Sequence, residues 1–192
     1  MSAAGSRLTL AWSRDRAHAV PPASRFVRLS HLRRLRGCEQ VAAVCYRVRG
    51  GNIEFLLVQT SGGRWTFPKG GAARGLTHAQ SAALEAFEEA GVHGRIEEAS
   101  FAHYNRSESG KSRSGMEIRV SAHLCEVRRL DPPQESNRNR TWFSTDKAKA
   151  RLREDRASAH GTEVARVVDR AVARIQLLHK VTVADRLRIR YK

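Results

Sequence analysis

The sequence predicts an α+β fold, and three observations support this prediction. Two β-rich runs, 41–48 and 53–60, flank a short turn with two glycines, as in a hairpin. Residues 116–124 alternate between apolar and polar side chains, which is typical of a strand with one buried face. From residue 162, apolar side chains recur at helical spacing as far as Leu178, and this spacing predicts an amphipathic helix.

Shorter signals complete the order of elements. A turn is expected at 61–63, which contains two glycines and precedes the segment 64–67. A short strand is expected at 141–143, after a Pro-Pro pair, and a charged helix at 146–156. A chain of 192 residues suits one domain of about 100–150 residues with extensions.

Positive charge is distributed unevenly along the chain. The formal net charge is +16, and residues 1–37 hold eight arginines against one acid, Asp15. Such a field attracts polyanions, although an excess of Arg over Lys also follows from a GC-rich genome. We predict a basic, flexible extension at 1–37, a domain at 38–182 and a basic tail at 183–192. The first segment is also typical of an organelle transit peptide or of a basic arm that binds nucleic acid.

Several classes of protein are disfavoured by composition. No apolar run reaches the roughly 18 residues that a membrane-spanning helix needs, so no membrane partner is expected. The three cysteines have no paired spacing, which argues against a disulfide scaffold or a zinc site and favours a cytoplasmic protein. His93, His103 and His123 lack metal-ligand spacing and are interpreted as structural. The sequence carries no signal for an oligomeric state.

Residues 67–92 carry the candidate chemistry. Glycines at 70, 71 and 75 predict a flexible loop that brings backbone close to a ligand. Thr77 and Gln80 have the spacing of a capping box, so a helix is expected to start at Thr77 and to stop at Gly91.

Three glutamates lie on one face of that predicted helix. Glu85, Glu88 and Glu89 stand at positions i, i+3 and i+4, where their carboxylates repel one another. A hard divalent cation such as Mg²⁺ relieves this repulsion and also binds phosphate oxygens of a substrate. A solvated acidic patch is the alternative interpretation, and the Gly-rich loop and the basic chain favour the metal site over it.

This segment resembles the Nudix box, G-x5-E-x7-R-E-U-x-E-E-x-G-U, where U is a bulky apolar residue. The box glycine falls at Gly70, and the R-E-U-x-E-E-x-G-U stretch falls at 84–92, with Ala86 at its first apolar position. Leu76 and Leu84 depart from the box, which has Glu and Arg at those positions. The resemblance covers about residues 40–150 and includes the segment RWTFPKGG and the pair Trp142-Phe143.

The resemblance implies a Nudix fold, a mixed β-sheet sandwiched between helices, and hydrolysis of a diphosphate linkage by metal-activated water. Mg²⁺ or Mn²⁺ is the implied cofactor, with Glu88 and Glu89 as ligands and Glu85 as a further ligand or the residue that orients the water. The Lys69 carbonyl resembles the family's main-chain metal contact. The implied substrate-binding residues are Arg64, Lys69, Gly70 and Gly71.

An additional acid from outside the box is also implied by the resemblance. Glu135 is the candidate metal ligand in the Pro-rich loop, Glu117 is the alternative, and each is also typical of an ordinary surface acid. The net basic loop at 105–115 contains Arg106, Lys111 and Arg113, which could grip a polyphosphate chain or remain a mobile surface loop.

The substrate class follows from the same resemblance. The segments RWTFPKGG and EEAGV are most similar to Nudix enzymes that act on diphosphoinositol polyphosphates and dinucleoside polyphosphates, with nucleoside triphosphates as the nearest competitor. The expected partner is therefore a polyanionic small molecule. Nucleic-acid association through 1–37 is an alternative that no recognition motif supports.

The two departures from the box predict a slow enzyme. We hypothesise that Leu76 and Leu84 replace the missing polar interactions with hydrophobic contact and leave the three glutamates intact. A slow enzyme is therefore expected rather than an inactive one. A non-catalytic Nudix module that binds a nucleotide or pyrophosphate ligand for regulation is the alternative.

Overall fold

A computed structural model describes residues 39–107, 117–135, 138–154 and 156–190 of the chain, and of 181–190 it describes the backbone. These residues form eight strands and three helices. The strands are β1 (Glu39–Arg49), β2 (Asn52–Gln59), β3 (Trp65–Thr66), β4 (Lys69–Gly71), β5 (Val92–Ile96), β6 (Ala102–Ser107), β7 (Glu117–Leu130) and β8 (Arg140–Ser144). The helices are α1 (His78–Ala90), α2 (Thr145–Arg153) and α3 (Ser158–Arg190).

All eight strands belong to one mixed sheet. Its main path runs β3-β2-β1-β7-β5, with β8 beside β2, β4 beside β1 and β6 beside β7. β1 and β7 are parallel, and the other pairs are antiparallel. The predicted hairpin is confirmed, since Arg49 pairs with Asn52 at its turn.

The sheet is covered on both faces, which confirms the predicted sandwich. Side chains alternate along β1, so that Val41 and Cys45 pack in the apolar cluster that includes Ala86 of α1. Val44 points to the opposite face and belongs to the larger cluster that contains Val168 of α3. Helix α1 therefore lies on one face, and α2 and α3 lie on the other.

The limits of α1 agree closely with those that the sequence predicts. The Thr77 hydroxyl accepts from the Gln80 N–H, and the Gln80 side chain accepts from the Thr77 N–H, which together form the capping box. Gly91 ends the helix with φ +59°, and a Cβ there would lie 1.9 Å from the Asp131 carbonyl oxygen. Glycine is therefore required at this position both by its backbone conformation and by the close approach.

Three strands differ from the sequence-based expectation. The predicted flexible loop at Gly70 and Gly71 is wrong for these two residues, because they belong to β4 and pair with β1. β5 and β6 were not predicted as strands, and β6 extends to Ser107, into the segment that the sequence assigns to the 105–115 loop. Lys111 and Arg113 of that loop lie outside the described residues.

The chain ends extend the same comparison. Helix α3 is longer than predicted and its backbone continues to Arg190, through most of the segment expected as a tail. The predicted extension at 1–37 lies outside the described residues, so the division into extension, domain and tail stays a prediction. Within the described part of the chain, no helix combines the length and the apolar character needed to cross a bilayer.

Candidate active site

The three glutamates of α1 lie on its buried face. Glu85, Glu88 and Glu89 are 4%, 9% and 1% exposed, respectively. A solvated acidic patch is thereby excluded, because buried carboxylates need polar or charged partners. The predicted common face is confirmed.

Strand β4 brings backbone directly against two of these carboxylates. A Cβ built on Gly70 would lie 2.0 Å from Glu85 Oε1, so only glycine leaves room for that carboxylate. The Lys69 N–H donates to Glu89 Oε2 over 3.2 Å. The box glycine therefore serves a close approach to Glu85 rather than a flexible loop.

The loop after β7 brings Glu135 to the same end of α1. The Glu135 N–H donates to the Glu88 carbonyl oxygen over 3.0 Å. Arg138 then contacts two acids, with Nη2 2.9 Å from Glu89 Oε1 and Nε 2.9 Å from Glu135 Oε2. Sequence reasoning selected Glu135 and missed Arg138, since no spacing relates Arg138 to the box.

The chemistry of these donors fits a hard divalent cation. Glu85, Glu88, Glu89 and Glu135 offer the oxygen ligands that Mg²⁺ and Mn²⁺ prefer. Glu89 Oε1 forms an ion pair with Arg138 Nη2 at 2.9 Å, and Glu89 Oε2 accepts from the Lys69 N–H. A carboxylate oxygen has two lone pairs, so each oxygen keeps capacity for a metal ion. Among the described residues, no three Asp, Glu, His or Cys side chains are arranged to coordinate one metal ion. Binding would therefore need the carboxylates to rotate toward one ion, and the predicted Lys69 carbonyl contact stays a prediction.

A basic cleft lies beside these acids. Its volume is about 210 Å³, and the described lining contains no Asp or Glu. The lining comes from the turn between β2 and β3, from β3, β4 and β6, and from the residues before and at the start of α3: Thr60, Arg64, Thr66, Lys69, Tyr104, Arg106, Arg156, Ala157, His160 and Val164.

The polar groups of the cleft are held in different ways. Arg156 donates to the carbonyl oxygens of Leu152 and Trp65, both over 2.6 Å. Arg106 donates to Gln40 Oε1 over 3.1 Å. The Tyr104 hydroxyl is buried and has no hydrogen-bond partner among the described atoms. An unpartnered buried hydroxyl in a basic cleft indicates room for a polar ligand.

The charges in and beside the cleft influence one another. Burial, with smaller contributions from Arg106, Arg138 and Arg156, lowers the pKa of Lys69 to about 8, and Glu89 opposes this shift. Burial raises the pKa of Glu89, although Lys69 and Arg138 favour its charged form. Burial, with Arg156 nearby, also lowers the pKa of His160. This concentration of positive charge favours binding of an anion.

Most of the predicted site residues come together at this edge of the sheet. Arg64 and the Lys69 side chain line the cleft, whereas Gly71 pairs with Gln40 in β1 and is not part of the lining. Tyr104, Arg156 and His160 were not selected from the sequence, and Arg106 was selected as part of the loop. For Glu117, the alternative acid, the structure describes the backbone and not the side chain.

The two leucines at departing positions have different environments. Leu76 is 41% exposed, so the hypothesis that it replaces a polar interaction with hydrophobic contact is wrong. Leu84 is half-buried on α1. The expectation of a slow enzyme therefore depends on Leu84, and on which other residue supplies the positive charge of the box Arg that Leu84 replaces.

Comparison with known proteins points to one family. Residues 39–163 match the family model described as the NUDIX domain. The search of curated proteins returned no match.

Solved structures share the fold. A C. elegans Ap4A hydrolase in a binary complex is 25% identical, covers 73% of this chain and 98% of its own, and superposes with a TM-score of 0.55. A NUDIX hydrolase from Nitrosomonas europaea is 20% identical, with coverage of 72% and 90% and a TM-score of 0.55. The NUDIX domain of Shewanella oneidensis NrtR, solved with ADP ribose, is 17% identical, with coverage of 71% and 87% and a TM-score of 0.53. At these lower identities, the last two show the fold alone.

Proposed function

The chain belongs to the Nudix hydrolase family, and from this premise we propose that it hydrolyses a diphosphate linkage in a strongly anionic small molecule, with Mg²⁺ or Mn²⁺ as cofactor. The substrate class that we propose is a dinucleoside polyphosphate or a diphosphoinositol polyphosphate, with nucleoside triphosphates as a further possibility. We place the activity in the cytoplasm.

The position of Lys69 is the observation that carries this proposal. Its N–H binds the Glu89 carboxylate, while its side chain lines the basic cleft. A polyphosphate chain that is bound by the cleft would thus have one linkage beside the carboxylates. Binding and bond cleavage would occur at neighbouring points along the same ligand, which is what hydrolysis of an internal linkage requires.

The chain's own residues have distinct parts in this proposal. A bound divalent cation would neutralise phosphate charge and activate water, and Glu85, Glu88, Glu89 and Glu135 are the residues that would hold it. Lys69, Arg64 and Arg106 would bind phosphate oxygens. Charge-assisted hydrogen bonds of this kind strengthen in a cleft with limited water, because the local dielectric constant is lower.

The similarity to the Ap4A hydrolase supports the proposed substrate class. That protein is 25% identical to this chain, and the match covers 98% of its length. The named substrate of the relative is a dinucleoside polyphosphate, and the described cleft lining has four Lys or Arg side chains and no acid. Long polyphosphates gain most from such a lining because they carry the most negative charge.

A phosphate-release panel tests the proposal. It compares dinucleoside polyphosphates, diphosphoinositol polyphosphates, nucleoside triphosphates and nucleotide sugars, each with Mg²⁺ and with Mn²⁺. We expect turnover of a polyphosphate, and we expect Glu89→Gln to lower kcat by about a thousandfold, or roughly 4 kcal/mol of transition-state stabilisation. Glu98→Gln removes an exposed acid and is the matched control. Turnover that survives in Glu89→Gln would overturn the assigned role.

A non-catalytic binding module is the second candidate. The observation that favours it is that both Glu89 oxygens already have a partner within the chain, Arg138 in an ion pair and the Lys69 N–H in a hydrogen bond. In that case the compounds of the panel would release no phosphate with either metal. One of the polyphosphates would still bind, with an affinity that depends on Lys69.

A further inference from the structure

One guanidinium joins two acids that come from different parts of the chain. Arg138 contacts Glu89 of α1 and Glu135 of the following loop, each over 2.9 Å, through two different nitrogens. The loop is itself fixed to α1, because the Glu135 N–H donates to the Glu88 carbonyl oxygen. The positions of the two carboxylates therefore depend on the same side chain.

Glu89 needs a counter-charge that α1 does not supply. It is 1% exposed, and a buried carboxylate without a partner is strongly destabilising. The helix contains no Lys or Arg, and Leu84, where the Nudix box has Arg, is uncharged. Arg138 is itself 18% exposed, so the pair is formed largely out of water.

We propose that Arg138 is a positioning residue that holds the Glu89 and Glu135 carboxylates as metal ligands, in place of an arginine at position 84. The planar guanidinium has donors at fixed angles, so it sets the orientation of both carboxylates rather than only neutralising them. A carboxylate oxygen has two lone pairs, so the ion pair at Glu89 Oε1 leaves capacity for a cation. This inference rests on the metal site of the proposed function.

Metal binding without substrate is the appropriate measurement. Calorimetric titration of the full chain with Mn²⁺ compares the wild type, Arg138→Ala, Arg138→Lys and Arg151→Ala. We expect Arg138→Ala to weaken Mn²⁺ binding by about 10–100-fold, as is usual when a partner that orients a metal ligand is lost. Arg138→Lys keeps the positive charge but loses the planar guanidinium with its fixed donors. Its Mn²⁺ affinity should therefore lie between those of the wild type and Arg138→Ala.

Arg151→Ala is the matched control. Arg151 forms an exposed pair with Glu154 at 3.0 Å, and exposed pairs contribute little to stability. Its Mn²⁺ affinity should equal that of the wild type. Melting temperatures without metal, measured on all four proteins, report the structural part of each substitution separately.

The outcomes separate this inference from the proposed function. Mn²⁺ affinity in Arg138→Ala that equals or exceeds the wild-type value overturns the inference, since Arg138 would then be neutral or a competitor of the cation. If Arg138→Ala does not fold, the Mn²⁺ affinity of Arg138→Lys is the test instead. An affinity of Arg138→Lys equal to that of the wild type also overturns the inference. Arg138-dependent Mn²⁺ binding without hydrolysis of any substrate supports the inference while the proposed function fails.

Discussion

The acidic and basic parts of the candidate site differ in how their residues are distributed along the chain. The three glutamates lie within residues 85–89 on one helix, and their placement depends on close backbone approach from β4. The charged lining of the cleft extends from Arg64 to His160 and comes from several strands and a helix on the other face of the sheet.

This difference predicts how each part responds to substitution. On the acidic side, a carboxylate is positioned by steric contact and by one or two hydrogen bonds, so a single change should remove most of the function. In the cleft, positive charge is the sum of several side chains, and loss of one polar group should weaken binding by a smaller factor. Substitutions at Gly70 and Tyr104 test this contrast, and a substitution at His123 changes a residue outside both parts.

Among the substitutions that test this contrast, the largest effect is expected for Gly70→Ala. The added Cβ would lie 2.0 Å from Glu85 Oε1, and the carboxylate is the flexible end of its side chain, so Glu85 moves while the backbone stays. A displacement of about 1 Å at a catalytic group can cost roughly 100-fold in rate. We therefore expect kcat to fall by about 100-fold with little change in melting temperature.

Gly62→Ala is the control for this substitution. A Cβ there would meet only the Thr60 hydroxyl, at 3.9 Å, which is an ordinary contact. Its kcat should remain at the wild-type value. If Gly70→Ala retained full activity, steric placement of Glu85 would not control the reaction, and the contrast between the two parts would be lost.

The same contrast explains which parts of the site could be predicted from the sequence. Thr77, Gln80 and Gly91 determine α1 through local hydrogen bonds and backbone conformation, so the spacing of the glutamates was readable and their common face is confirmed. β4 was not readable, because two of its three residues are glycines and its hydrogen bonds come from β1. Local propensity carries no information about such a strand.

The cleft could be predicted only in part, for a related reason. Arg64 and Lys69 adjoin the box and were selected, whereas Arg156 and His160 reach the cleft only because α3 packs across the sheet. Arg138 reaches Glu89 through the loop after β7, which the Glu135–Glu88 hydrogen bond fixes. Contacts of this kind depend on tertiary packing, and no spacing in the sequence encodes them.

An intermediate effect is expected for Tyr104→Phe in the cleft. Tyr104 is 3% exposed, and its buried hydroxyl has no hydrogen-bond partner within the described structure. Removal of this hydroxyl should therefore leave the free energy of unfolding unchanged or raise it slightly. If a phosphate oxygen accepts from this hydroxyl, its loss should raise KM by about 10-fold, since hydrogen bonds to charged groups contribute roughly 1.5–3 kcal/mol. Steady-state kinetics with the preferred substrate provide the measurement.

Tyr46→Phe is the matched control for this position. Tyr46 is buried on the same face of the sheet but is not part of the cleft lining. Its KM should equal that of the wild type. An unchanged KM in Tyr104→Phe would mean that the hydroxyl does not contact substrate, and a large loss of kcat would place it in the bond-breaking step instead.

The smallest effect concerns acid stability and a residue that belongs to neither part of the site. Burial lowers the pKa of His123, whose Nδ1–H donates to the Glu97 carbonyl oxygen while Nε2 is buried without a partner among the described atoms. A lowered pKa means that the stabilisation is present above about pH 6.5 and is lost as pH falls. Between pH 7 and pH 5, His123→Gln should lose about 2–4 °C less in melting temperature than the wild type. The exposed His179→Gln should follow the wild type. Identical slopes in all three proteins would show that His123 does not account for the acid sensitivity.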